Sequence, residues 1–279
     1  VTSDAERIAA VALAEDGETD VTTALTVPAD LEGVGRLEYR SGGVVAGAAF
    51  ADAVATACEC RIEWHAPDGR AVPPGTVIGI VHGPLHRMLR AERPMLNLLQ
   101  RACGIASATR AYVDAVAGTR CRILHTRKTA PGLRALDVAA VLSGGGARHR
   151  IDLSHELMVK DNHWQALRLE ENDLAAALAR ARSRGISALQ VEVESIQQVE
   201  DACAAGATRL LVDNQPPSTV RAWAERAREL VPTIEIEATG GITLENVREY
   251  AEAGVDFVSI GALTHSVMAA DIGLEVGVR

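Results

Sequence analysis

The sequence predicts an α/β protein in two parts, with a C-terminal parallel barrel left incomplete at about six strands. Three observations predict it. From Cys121 onward, short β-prone runs alternate with loops and helical segments, and parallel strands need such crossovers. Before that point the pattern is mixed and ends in a long helical stretch. The 48% hydrophobic and 23% charged content is that of an ordinary globular protein, too apolar for disorder.

The elements follow in order. Residues 4–15 place Ile8, Val11 and Ala12 at helical spacing. Arg36 to Val45 alternates around Leu37 and Tyr39 like a strand, broken at Gly42-Gly43. A short helix is expected over Phe50 to Cys58, a strand over Arg61 to Trp64, a turn at Pro67-Asp68-Gly69 and a strand from Thr76 to Val81. Leu85 to Ala117 is helical, with interruptions expected at Pro94 and Gly104. Residues 1–118 thus form a small α/β domain with a helical connector. In residues 119–279 the strands are Arg122-Ile-Leu, Leu157-Met-Val, Leu189-Gln-Val-Glu-Val, Leu210-Leu-Val, Ile234-Glu-Ile and Phe257-Val-Ser-Ile. Helices are expected over Ile196 to Ala205, Ser218 to Leu230 and Leu244 to Ala253. Ser195-x-x-Gln198 reads as a capping box, and Gly206 and Gly254 as C-terminal caps. Six such units fall short of a full eight-unit barrel.

Composition narrows the function. No apolar run approaches the ~20 residues of a membrane helix, and the N-terminus lacks the features of a signal peptide. Five dispersed cysteines suit reduced thiols in the cytoplasm. A net charge of −9 without a basic tail argues against nucleic acid. His82 and His86, split by Gly83-Pro84, read as a loop rather than a metal pair.

Polar residues collect where the strands end, the place where such folds build sites. In chain order these are His125-Thr-Arg127-Lys128-Thr, Lys160-Asp161-Asn-His163, Glu192, Asp213-Asn214, Thr239-Gly240-Gly241 and Gly261-Ala-Leu-Thr-His265. Between Arg122 and Lys160 the chain carries seven Lys or Arg against three acids, a local excess that suits a polyanionic substrate. Glu192 and Asp213, on successive strands, should face each other and could bind sugar hydroxyls, hold Mg²⁺ or steady a developing cation. The two glycine turns should offer backbone N–H groups to a phosphate at the start of the following helices. Of the 28 basic residues only Lys128 and Lys160 are lysines, and both sit in these loops. A compact ammonium fits a tight phosphate contact better than a planar fork does.

These stretches resemble the quinolinate phosphoribosyltransferases. The matching segments are Ala91-Glu-Arg-Pro-Met-Leu-Asn97, Gly104-Ile-Ala, Thr126-Arg-Lys-Thr-Ala-Pro-Gly-Leu-Arg134, Gly144-Gly-Gly-Ala-Arg-His-Arg150, Lys160-Asp-Asn-His163, Glu192-Val-Glu-Ser, Asp213-Asn, Gly240-Gly and Gly261-Ala-Leu-Thr-His-Ser266. They cover nearly the whole chain in family order. The resemblance implies an N-terminal α/β sandwich, the incomplete barrel, and a homodimer with shared sites, open to a higher assembly of dimers. It implies that quinolinate and phosphoribosyl pyrophosphate give nicotinate mononucleotide, CO₂ and pyrophosphate, with Mg²⁺. Arg127, His149 and Arg150 would hold the quinolinate carboxylates, and Arg93 would reach in from the second subunit. Lys128 and Lys160 would contact substrate and donor, and Glu192 and Asp213 the ribose hydroxyls. Asp161 would help Glu192 and Asp213 with the metal, and Thr239, Gly240, Gly241, Gly261 and His265 would surround the 5′-phosphate.

The chain departs from the family pattern at several places. His125 stands where Asp is usual, Val138-Ala139 where Lys-Tyr is usual, Pro94 and Thr239 for Thr and Ser, and Cys103 for Ser. The first two alter charge near the acceptor, so another pyridine or aromatic acid is an alternative substrate. Two remoter alternatives are a barrel aldolase with a Schiff base on Lys160 and a non-catalytic ligand-binding protein.

Overall fold

The computed structural model describes residues 2–154, 156–169 and 173–278. Helix α1 (Asp4–Glu15) opens with a capping box, in which Ser3 accepts the Glu6 amide and the Glu6 carboxylate takes the Ser3 amide. There follow α2 (Val21–Thr26), β1 (Glu32–Tyr39), β2 (Gly43–Val44), α3 (Ala48–Ala57), β3 (Arg61–Trp64), β4 (Ala71–Val72), β5 (Thr76–Pro84) and α4 (Leu85–Ala115). The strand expected to run from Arg36 through Val45 is thus two. β1 starts earlier, and β2 leaves it at the glycine pair to pair with β4.

Helix α4 runs through both expected interruptions. Gly104 is there for space, since a Cβ at that position would lie 2.2 Å from the Met268 carbonyl oxygen. Pro94 is buried within the helix, so packing outweighs the lost backbone hydrogen bond.

The rest of the chain forms β6 (Arg122–Leu124), α5 (Arg134–Ser143), β7 (Leu157–Val159), α6 (Asp161–Leu169), α7 (Leu174–Ser183), β8 (Leu189–Val193) and α8 (Ile196–Ala205). It continues with β9 (Arg209–Asp213), α9 (Pro217–Leu230), β10 (Glu235–Thr239), α10 (Val247–Glu252), β11 (Phe257–Ser259), α11 (Ala262–His265) and β12 (Ile272–Val278). Ser195 caps α8 by accepting the Gln198 amide, whereas Gln198 turns to the amide of Glu194 rather than that of Ser195.

Two compact units result. The first comprises Val1–Arg110, Lys128–Gly146 and Ala262–Arg279. Its sheet has the order β12-β1-β5-β3 and is antiparallel throughout. The last strand of the chain therefore pairs with the first, Leu274 opposite Leu37, although it follows the barrel segment in sequence. β1 alternates buried and exposed residues as a strand with one covered face should.

The second unit comprises Ala111–Arg127 and Ala147–Gly261. It carries the six-stranded parallel sheet β6-β11-β10-β9-β8-β7, with β6 and β7 at its edges. One parity of its strands is aliphatic, including Val191, Leu210, Val212, Ile236, Ala238 and Val258. The other parity is largely polar and forms rungs across the sheet. Gln190 and Glu235 flank Arg209, Glu237 lies between Leu211 and Phe257, and Thr239 lies between Asp213 and Ser259. Alternation with period two puts each rung on one face, so that face is a polar lining rather than an aliphatic core.

All five cysteines are free and buried. Burial pushes the Cys60 thiol up to about 11 and those of Cys103 and Cys121 to about 12. Burial likewise pushes the Tyr39 hydroxyl up to about 12. Such thiols stay protonated in the fold, so a thiol-reactive dye at pH 8 is expected to label none of them before denaturant is added. Their stabilisation is complete below the ordinary thiol value and is lost as pH rises from about 9 toward 12. Alkaline unfolding in that window, followed by circular dichroism, checks the sign. Among the described residues no helix is long and apolar enough to cross a membrane.

Candidate active site

In the second unit the site begins at Lys160, which immediately follows β7. Its ammonium is ion-paired to Glu192 of β8, whose side chain is 7% exposed. Three more bonds hold this loop. The Lys160 amide donates to Nδ1 of His163 at 3.0 Å, the Asp161 amide reaches Glu192 Oε1 at 3.5 Å, and the Trp164 indole donates to the Glu192 carbonyl at 2.8 Å. Glu192 is therefore committed to the lysine loop. Asp213 does not lie directly opposite it, because Glu192 registers with Leu211 and Asp213 lies one rung higher. Asp213 accepts from Asn214 Nδ2 at 2.7 Å.

Strand β10 ends beside that aspartate, with Thr239 in register with Asp213. Gly240 follows with φ +84°, where a Cβ would lie 2.2 Å from Asn214 Oδ1 and 2.9 Å from Asp213 Oδ1. Only glycine allows the turn and the close approach together. Helix α10 starts at Val247, several residues after Gly241, and α11 has only four residues. The expected helix start at Gly240-Gly241 is thus displaced, and that turn offers loop amides alone, whereas Gly261 directly precedes the short α11. Gly261 follows β11, whose Ser259 is in register with Thr239.

Arg127, His149 and Arg150 also belong to this unit. The Nε of Arg127 is buried and has no hydrogen-bond partner. Burial holds the Arg150 guanidinium below its usual value, and the nearby Arg127 lowers it further. Two neighbouring guanidinium groups with a buried donor unmet have the chemistry that suits an anion. His149 is oriented differently from its neighbours. Its ring is 7% exposed and faces inward, with Nε2 3.3 Å from Glu237 and Nδ1 accepting the Arg150 amide at 2.7 Å. The His149 amide donates to Nε2 of His125 at 3.1 Å. That acceptor role is one the family's usual Asp could also fill.

Lys128, His265 and Arg93 lie in the first unit. There the Thr264 hydroxyl donates to the Lys128 carbonyl at 2.8 Å, tying the lysine loop to the turn that carries His265. Behind it, Arg101 of α4 forks onto both carboxylate oxygens of Asp137 at 2.7 Å and donates to the Thr264 carbonyl at 2.8 Å. Asp137, fully buried, also accepts the Ala130 amide at 3.2 Å. Arg93 lies in α4 next to Pro94.

Sequence reasoning missed Glu237, Ser259, Arg209 and the Arg101–Asp137 fork. Glu235 and Glu237 did carry a signal, as charges at alternate positions of a strand flanked by aliphatic ones. No local pattern marked the fork. His82 ends up in β5 and His86 in the first turn of α4. Among the described residues no three His, Cys, Asp or Glu are grouped to hold a metal. Asp161, Glu192 and Asp213 therefore do not make a metal cage by themselves.

Comparison with known proteins gives the family and the fold. Residues 20–103 match the N-terminal domain of quinolinate phosphoribosyl transferase and residues 105–275 its C-terminal domain. A carboxylating nicotinate-nucleotide pyrophosphorylase of Mycobacterium leprae is 40% identical over 92% of this chain and 91% of its own. The Homo sapiens protein of that name is 39% identical over 85% of this chain and 80% of its own. The structure of the nicotinate-nucleotide pyrophosphorylase from Francisella tularensis superposes with a TM-score of 0.89 at 29% identity, covering 99% of this chain and 98% of that one. That of the Ehrlichia chaffeensis enzyme gives 0.87 at 32% identity, over 97% and 98%. With both domains matched and this identity sustained along the chain, the protein belongs to the quinolinate phosphoribosyltransferase family.

Proposed function

We propose that this protein transfers the phosphoribosyl group of phosphoribosyl pyrophosphate to quinolinate, releasing pyrophosphate and CO₂ and leaving nicotinate mononucleotide. The observation that carries the reading is the Arg127–Arg150 pair, with its buried Nε lacking a partner. Two guanidinium groups suit a small dicarboxylate, each fork meeting one carboxylate. Held in that way, the pyridine nitrogen is oriented for attack, which turns an encounter into an intramolecular step. As pyrophosphate departs, the ribose C1 becomes cation-like, and carboxylates near the ribose steady it. Asp213 is assigned to the ribose hydroxyls, together with Glu192. Lys160, and Lys128 by family resemblance, neutralise charge on substrate and donor. Once its nitrogen is quaternary, the ring accepts the electron pair released when the adjacent carboxylate leaves as CO₂.

The Thr239-Gly240-Gly241 turn, Gly261 and His265 are assigned to the 5′-phosphate, and Arg93 to the site of a second subunit in a homodimer. Magnesium belongs to the donor. Mg²⁺ favours substrate phosphates plus one or two carboxylates over an all-protein cage, and Asp161 and Asp213 supply the carboxylate type it takes. When bound, it would offset the charge of the departing pyrophosphate.

The test is pyrophosphate and CO₂ release with phosphoribosyl pyrophosphate and a panel of pyridine acids. Turnover of quinolinate above the other acids is expected. Turnover of another acid with none of quinolinate would overturn the acceptor while leaving the family chemistry in place. His125 in place of the usual Asp, and Val138-Ala139 in place of the usual Lys-Tyr, are the residues that favour this second outcome.

A further inference from the structure

Lys128 and His265 are the residues of the first unit assigned above to the donor, and they come from distant parts of the chain. Thr264, next to His265, joins them. It is 1% exposed, and its hydroxyl donates to the Lys128 carbonyl, so one buried residue holds the lysine loop against the turn that carries the histidine. Thr264 is itself fixed through its own carbonyl, which accepts Nη2 of Arg101 at 2.8 Å. The same nitrogen, together with Nε, forks onto Asp137, and Asp137 accepts the Ala130 amide at 3.2 Å. The lysine loop is thus gripped at the Lys128 carbonyl and again at the Ala130 amide. Both grips lead back to one guanidinium.

Helix α4 also anchors the far side of the histidine turn. The Gln100 carbonyl accepts the Ala270 amide at 2.9 Å, and its side-chain Nε2 donates to the Ile272 carbonyl at 2.7 Å. The bare Cα of Gly104 admits the Met268 carbonyl between them. These contacts do not involve the Thr264 hydroxyl. Its loss therefore loosens the lysine loop while the histidine turn stays on the helix.

We propose that Thr264 and Arg101 are positioning residues for the phosphoribosyl donor: Arg101 fixes Thr264, and the Thr264 hydroxyl fixes the Lys128 loop at the spacing from His265 that the donor's phosphates require. Neither residue meets the donor in the reading above. Their effect is to hold in place, before binding, two groups that would otherwise have to be ordered by it. A buried hydroxyl on a loop carbonyl suits that task, because leaving the carbonyl unmet is costly and the bond has one geometry. This inference rests on the donor reading above.

Calorimetric binding of phosphoribosyl pyrophosphate with Mg²⁺, in the absence of any acceptor, tests it. Thr264→Val keeps the shape and removes the hydroxyl, and it should weaken donor binding about fivefold, the size of one buried hydrogen bond. Thr264→Ser returns a hydroxyl and should bind within about twofold of wild type. In a Lys128→Ala background the Thr264→Val change should cost no more than about twofold, because a residue that acts through Lys128 then has nothing left to position. The same loss in both backgrounds would mark a general disturbance of the fold and overturns the proposal. If Thr264→Val does not fold, Arg101→Lys serves in its place, since an ammonium cannot make the fork and the carbonyl contact together. It should weaken donor binding in the same sense and lose that effect in the Lys128→Ala background. A wild-type protein that binds no phosphoribosyl pyrophosphate overturns the donor reading and this inference with it, whereas wild-type binding with an indifferent Thr264→Val overturns the inference alone.

Discussion

Replacing Lys160 by arginine is expected to lower kcat by about a hundredfold while leaving the fold intact, a loss of the size seen when one electrostatic donor to a reacting centre is removed. The charge survives in this variant, so what is tested is its shape. The ammonium of Lys160 is ion-paired to a nearly buried Glu192, and the lysine side chain remains 42% exposed. A guanidinium is planar and larger, and it would satisfy Glu192 through a fork that turns its remaining donors aside. Lys160→Ala is a poorer probe, because it strands a buried carboxylate and confounds stability with chemistry. Steady-state kinetics alongside thermal denaturation separate the two. Arginine at 160 with wild-type kcat would refute the point-charge argument, and the same holds for Lys128→Arg, where the loop carbonyl stays bonded to Thr264.

Asp137→Ala should give the largest loss of stability, about 2–4 kcal/mol, since removing one member of a buried pair leaves the other uncompensated. Asp137 is fully buried and takes both arms of Arg101, while Arg101 is 22% exposed and can recover part of the loss from water. At the usual size scaling this is a fall in the apparent Tm of roughly 5–12 °C. The Ala130 amide loses its acceptor in the same step, and Arg101 loses the grip that aims it at the Thr264 carbonyl. Activity should therefore fall even at temperatures where the variant is folded. A calorimetric Tm within about 2 °C of wild type would show that the fork is an ordinary surface pair of small worth. Arg101→Lys should lie between, because an ammonium cannot make both contacts at once.

Much of this arrangement was legible without coordinates, for a physical reason. Strand β8 and helix α8 match the segments read from periodicity because a strand covered by helices and a capped amphipathic helix write their geometry into neighbouring residues. The loop positions of Lys160, Asp213 and Gly240 were legible in the same way, since the end of a strand is a local event. Elements that depend on distant partners were not. Helix α4 was read as interrupted because Gly104 and Pro94 break helices in isolation; Met268 and the surrounding core, far along the chain, explain why they do not here. β12 alternates like a strand, but its partner β1 lies more than two hundred residues earlier. The commitment of Glu192 to Lys160, in place of a face-to-face pair with Asp213, is a matter of register, which a one-residue slip would change.

The sequence by itself determined the α/β class, the βα rhythm, the loops that carry the charged residues and the family pattern. These depend on residue type and spacing within about twenty positions. The tertiary structure alone decided which charges are paired and which are left for a ligand. His149 and Arg150 are adjacent in the chain, yet one ring turns inward to Glu237 while the other side chain stays beside Arg127. That division is set by where β10 and β11 place Glu237 and Ser259. A buried carboxylate must draw its donors from whatever lies within hydrogen-bond reach, and no spacing along the chain encodes that.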